Sequence, residues 1–151
     1  MKKIIGIGNA LVDILIKLES DHFLNEFNLP KGSMQLVERQ FVNMLTLATK
    51  CSNPQLTSGG SAANTIHGLA KLGMNTSYIG KVGNDEYGKI FTDDLLKNKI
   101  SPILLNSENE TGRAMTFISS DSERTFATYL GAAVELGAGD LKPEFFEGFD
   151  L

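Results

Sequence analysis

The residues best placed to do chemistry lie in "LTSGGSAANTIHGLAKLG", residues 56–73. Gly59 and Gly60 precede a run whose apolar positions, Ala62, Ile66, Leu69 and Ala70, recur at helical spacing. Ser58 or Ser61 is suited to cap that helix, and Gly73 stands where a helix commonly ends. Two residues without side chains at the positive end of a helix let a ligand reach unsatisfied backbone N–H groups, which favours an oxygen-rich partner. Asn64, in the first turn, can donate and accept, which suits a pair of sugar hydroxyls. The same glycine pair could equally serve only as a tight turn.

A second glycine pair occurs in "IIGIGNALVD", residues 4–13. A dinucleotide fingerprint would need a third glycine where Leu11 stands, and a helix after it. Val12, Ile14, Ile16 and Leu18 instead alternate with Asp13, Lys17 and Glu19, the period of a half-buried strand. The reading is therefore strand, bend at Gly8-Asn9, and second strand, with Asp13 on its polar face. The histidines offer little: His22 falls in a charged surface helix, and His67 lies one turn beyond Asn64, neither with a partner that sequence spacing brings to it. No cluster has metal-ligand spacing.

These residues need a frame, and the pattern predicts one. "SDHFLNEF" is a short helix capped by Ser20 or Asp21, and "GSMQLVE" is a strand. "ERQFVNMLTLATK" is a helix with Phe41, Leu45 and Ala48 inward. "TSYIGKV" is a strand, and the helix after it is capped by Asp85, with Ile90, Phe91 and Leu95 inward. "RAMTFISS" and "RTFATYL" form a hairpin across "DSE". Alternating helices and strands imply a parallel sheet. The hairpin and the polar-faced early strands belong to a second, smaller β layer.

Composition narrows the classes. The chain has 151 residues, 42% of them hydrophobic, enough for one substantial core. A net charge of -4 and a pI near 5.2 disfavour a nucleic-acid surface. Lys2-Lys3 before an apolar run imitates a signal peptide, but Asp13 interrupts it and no small-residue cleavage site follows. No stretch approaches the roughly 18 apolar residues of a membrane span. The single cysteine, Cys51, has no internal disulfide partner and suits a reducing cytoplasm. A cytoplasmic protein without nucleic-acid or membrane partners is expected.

Taken together, "GNALVDI", "PKGSMQLVE", "GGSAAN", "GNDEYG" and "TGRAMTFISSDSERTFATYLGAA" resemble the N-terminal signatures of the PfkB, or ribokinase-like, family of carbohydrate and nucleoside kinases. The first two pieces are most similar to its adenosine-kinase-like branch. The resemblance implies a three-layer α/β/α core, partial here, with a small β-sheet lid whose strands cover about 11–19, 32–38 and 112–130. The whole chain, 1–151, would be the N-terminal part of the domain, without the C-terminal nucleotide-binding part. It implies that Asn9, Asp13, Gly59, Gly60 and Asn64 hold the sugar. Arg124 matches a lid arginine near the transferred phosphate, the alternative being an exposed hairpin arginine. The glutamine that adenosine kinases carry after the "PKG" turn is Met34 here, one place before Gln35.

The resemblance further implies ATP and Mg2+ as cofactors of the whole enzyme, and because exposed edges of the lid strands invite pairing, a homodimer with the lids in contact is expected. The family's magnesium-associated N-x-x-E pattern does not occur at any asparagine. "LGAGD", residues 136–140, spells the family's G-A-G-D signature, whose aspartate is the base. Here it follows "AAVE" and precedes Pro143, so Asp140 is expected to cap a short helix, and no residue of the chain is assigned as catalytic. The expectation is an N-terminal, substrate-binding portion of an ATP-dependent sugar or nucleoside kinase, without turnover on its own. The alternative is a non-catalytic sugar-binding or lid-assembly protein.

Overall fold

The computed structural model describes residues 2–150. In chain order the elements are β1 (Lys3–Ile7), β2 (Leu11–Lys17), α1 (His22–Glu26), β3 (Met34–Leu36), α2 (Arg39–Ala48), β4 (Gln55–Gly59), α3 (Ser61–Lys71), β5 (Asn75–Gly83), α4 (Glu86–Lys97), β6 (Ile100–Ser107), β7 (Gly112–Ile118) and β8 (Arg124–Tyr129). Short 3-10 turns follow at Gly131–Glu135, Ala138–Asp140 and Pro143–Phe146. The chain forms two compact units. One holds the residues up to Val12, Thr57–Gly112 and the segment from Leu130 onward; the other holds Asp13–Leu56 and Arg113–Tyr129.

The first unit is a parallel sheet in the order β1-β5-β6. Its central strand β5 is buried from Thr76 to Gly80, as expected of a parallel strand covered on both faces. Tyr78 and Phe91 meet with ring centroids 5.7 Å apart, and Ile66, Ile79, Leu95 and Ile100 complete the apolar interior. Gly6 and Gly8 turn out to be packing residues. A Cβ on Gly6 would lie 2.5 Å from Ile66 Cγ1, and one on Gly8 would lie 2.8 Å from Ala62 Cβ, so the pair lets α3 close on β1. β6 had no counterpart in the sequence reading. It carries Pro102, which is tolerated because β6 is an edge strand.

The other sheet is five-stranded, in the order β3-β8-β7-β2-β4. β7 and β8 form the expected antiparallel hairpin, and β3 runs parallel to β8. Strand β4, unforeseen in the sequence, joins the same sheet. Val12, Ile14 and Ile16 are buried along β2 while Asp13 is half-buried, in line with its alternation. Phe23 stacks on Phe27 and Phe117, at 4.6 and 5.0 Å between centroids.

Several local expectations are corrected. The N-cap of α3 is Gly60, not Ser58 or Ser61, and no side chain caps the helix. Its buried positions are Ala63 and Ile66; Ala62, Leu69 and Ala70 are half-buried. In α2 the buried residues are Val42 and Leu45, and Ala48 is exposed, because the helix turns its face one position from the expected one. Asp21 is the N-cap position of α1 without a capping bond, its carboxylate being taken by Lys31 at 2.7 Å and Ser119 Oγ at 2.7 Å.

The hydroxyl of Tyr78 is buried without a hydrogen-bond partner, and burial pushes its phenol far above the usual tyrosine range. An unsatisfied buried hydroxyl is costly, so Tyr78→Phe is expected to raise unfolding stability by about 1 kcal/mol. Urea denaturation of both forms checks this; a loss of stability on removing the oxygen would contradict it.

Candidate functional site at the glycine pair

The end of β4 delivers Gly59, buried, and Gly60, which adopts φ 97 and ψ 144 at the start of α3. That is a backbone conformation L side chains rarely reach. A Cβ on Gly60 would also stand 2.5 Å from the carbonyl oxygen of Asn9. Asn9 and Gly60 are thus brought into backbone contact, as the resemblance implied they should be neighbours. Because no side chain caps α3, its first N–H groups are not satisfied by a capping side chain. Asn64 follows one turn on, with its N–H on the Gly60 carbonyl at 2.9 Å and its side chain exposed.

The serine before the glycine pair is occupied elsewhere. Ser58 Oγ lies 2.5 Å from Asp94 Oδ2 and 2.6 Å from His67 Nε2. Asp94 Oδ2 also accepts from Ser58 N at 3.0 Å and from Thr57 Oγ1 at 3.2 Å. This corrects the sequence expectation for His67. Its partner comes from β4, nine residues earlier, and Asp94 from α4, so no local spacing could reveal the cluster. His22 likewise has a partner, Glu26 Oε2, 3.9 Å away one turn along α1. Thr57, Ser58, Asn64, His67 and Asp94 border one open cleft of about 360 Å³.

Protonation follows from these contacts. Burial opposes ionisation of Asp94, but the hydrogen bonds from Ser58 and Thr57, with His67 nearby, outweigh it and hold the carboxyl below its ordinary value. Desolvation lowers the His67 pKa, with Asp94 opposing and Lys71 assisting. The ring is therefore neutral at pH 7, and its 3.8 Å separation from Asp94 is not an ion pair there.

Asp85 caps α4 as expected, accepting from Gly88 N at 2.8 Å, and additionally holds Thr111 through its N and Oγ1 at 2.8 and 2.7 Å. Asp140 lies in the 138–140 turn, where it accepts from Gly137 N at 3.0 Å and pairs with Lys81 at 3.1 Å. It closes that turn and does not cap the following one, whose N-cap is Lys142. Arg124 is exposed at the first position of β8. Asp13 differs from these carboxylates. Asp21, Asp85, Asp94 and Asp140 are each served by protein donors, whereas half-buried Asp13 has no hydrogen bond or ion pair among the described residues, and burial raises its pKa.

The glycine pair thus opens an uncapped helix in a parallel α/β unit, and comparison with known proteins identifies the family. The profile of the pfkB family carbohydrate kinase matches residues 34–147, and the chain belongs to that family. Fructokinase-2 of Oryza sativa subsp. japonica is 31% identical over 80 residues, 52% of this chain and 24% of its own length. Among solved structures, adenosine kinase from Sinorhizobium meliloti is 38% identical with a TM-score of 0.80, covering 95% of this chain and 43% of that one. Adenosine kinase from Schistosoma mansoni, solved with adenosine in an occluded loop conformation, is 25% identical with a TM-score of 0.79, covering 93% of this chain and 41% of its own. The chain thus spans about a quarter of this curated relative and under half of the solved chains. The ribokinase-like fold is the one expected from the sequence.

With a depressed histidine pKa, stability is full above the unfolded value, near 6.5, and is lost as pH falls below it through the lower folded value. Urea midpoints at about pH 7.5 and pH 5.5 are therefore expected to fall with acidification in the wild type. His67→Gln should shrink that difference; an unchanged pH dependence would show that His67 does not set it.

Proposed function

We propose that this chain supplies the substrate-binding portion of an ATP-dependent kinase that phosphorylates a hydroxyl of a sugar or nucleoside. The observation that carries the reading is the pairing of Gly60 with the Asn9 carbonyl at the open start of α3, in a chain of the pfkB family. The backbone N–H groups there, with the Asn64 amide, suit the hydroxyls of a ribose or hexose ring. Asp13 adds a carboxylate acceptor. Its lack of protein donors fits a group whose hydrogen bonds come from substrate, and charge-assisted bonds of that kind are the stronger ones. Arg124 is proposed to meet the transferred phosphate. The similarity of the S. meliloti adenosine kinase over nearly the whole chain favours a nucleoside, while exposed Met34 in place of a glutamine leaves the ribose, not the base, as the recognised part.

Kinases of this family use ATP. The described residues contain no group of three His, Cys, Asp or Glu side chains arranged to hold a metal ion, and Asp140 is engaged by Lys81. We place nucleotide binding and the catalytic base in parts of the enzyme outside these 151 residues, so the chain by itself would bind without turnover. No helix among the described residues is long and apolar enough to cross a membrane, and a cytoplasmic location is proposed. Strand β3 is a sheet edge carrying exposed Met34 and Leu36. Such edges favour pairing, and a homodimer through this second unit is part of the proposal; a monomer by light scattering at high concentration would remove it.

Calorimetry with adenosine, ribose and fructose tests the reading. Asp13→Asn and Asn64→Ala should each weaken binding by about 1.5–3 kcal/mol, roughly 10- to 150-fold. Because the bound hydroxyls need the ionised carboxylate, affinity should be full above the raised Asp13 pKa and decline as pH falls through it. A coupled assay with ATP and Mg2+ should give no product. Unaltered binding by both variants would overturn the assigned site.

A further inference from the structure

We infer that Asp94 is a positioning residue for the glycine pair: acting through Ser58, it fixes the strand end that presents Gly59 and Gly60. This rests on the reading of the pair as a substrate contact. Glycines have no side chain by which they can be anchored, and their backbones are the most mobile of any residue. Beyond backbone bonds such as Asn64 N on the Gly60 carbonyl at 2.9 Å, a side-chain anchor must grip a neighbour, and Ser58 is that neighbour.

The geometry concentrates the grip on one oxygen. Asp94 Oδ2 accepts from Thr57 Oγ1 at 3.2 Å, Ser58 N at 3.0 Å and Ser58 Oγ at 2.5 Å. Both the backbone and the side chain of Ser58 are thus held. The other oxygen, Oδ1, accepts from Asn98 Nδ2 at 3.2 Å, and the same amide donates to the Asp94 carbonyl at 2.8 Å. Asn98 thereby orients the carboxylate on the last turn of α4. Since the Ser58 hydroxyl proton is directed at Asp94, His67 must donate through Nε2–H to the remaining Ser58 lone pair at 2.6 Å. That assignment sets the neutral tautomer of the ring. Ser58 is itself buried, so its own bonds are the better shielded from water, while the Thr57 bond to Asp94 is exposed.

The test uses the 15N-labelled chain. In Asp94→Ala the backbone order parameters of Gly59 and Gly60 are expected to drop from about 0.85 to below about 0.6, while those of β5 stay unchanged. Asp94→Asn, which keeps an acceptor oxygen, should restore most of the order. The dissociation constant for adenosine or fructose should rise about tenfold in Asp94→Ala and less in Asp94→Asn, a factor of ten being 1.4 kcal/mol. Should Asp94→Ala not fold, Asn98→Ala, which only frees the carboxylate to turn, is expected to give a smaller drop at the same two glycines. Unchanged order at Gly59 and Gly60 in the folded variants, or an equal loss throughout β5, would overturn the inference. If the unsubstituted chain binds neither adenosine nor fructose, the substrate site itself is wrong, and the order parameters alone still decide whether Asp94 holds the pair.

Discussion

The approach of α3 to β1 is the constraint on which the rest of the first unit depends. Three glycines make it possible: Gly6 against Ile66, Gly8 against Ala62, and Gly60 against the Asn9 carbonyl. A side chain at any of them would collide at under 3 Å with atoms that the core holds in place. The helix start is thereby set at the end of β1. One close approach thus serves packing and sets where the glycine pair begins the helix.

Around this contact the buried polar groups are fastened in two places. Asp85 joins the start of α4 to Thr111, whose hydroxyl also meets Gly83 N at 2.8 Å. Asp94 joins the far part of α4 to β4 and, by way of Ser58, to α3. Each carboxylate has hydrogen-bond donors that offset the cost of removing it from water. Among the described residues Asp13 has no such donor, and burial alone raises its pKa.

Much of the frame was legible because it rests on local regularities. The period-two run from Val12 announced β2, the "DSE" turn announced the β7–β8 hairpin, and Asp85 followed by a helical apolar pattern announced α4 and its cap. Strands β4 and β6 were not legible. The first is short and its residues read as a turn, and the second carries Pro102, which a sheet tolerates only at an edge that the sequence cannot designate.

The sequence by itself determined the family, the presence of the glycine pair and the polar side of β2, since each is written in contiguous residues and in their spacing. It could not determine what Ser58, His67 and Asp94 do. Ser58 reads as a helix cap and His67 as a helix residue without a partner that sequence spacing brings, until β4, α3 and α4 are folded against one another. Tertiary structure alone decided that these three side chains share one hydrogen-bonded cluster, and that Gly6 and Gly8 are contact points and not a dinucleotide fingerprint. The reason is physical: hydrogen bonds and van der Waals exclusion act over a few ångströms, and Ser58 and Asp94, 36 positions apart, come that close only after the chain between them has folded.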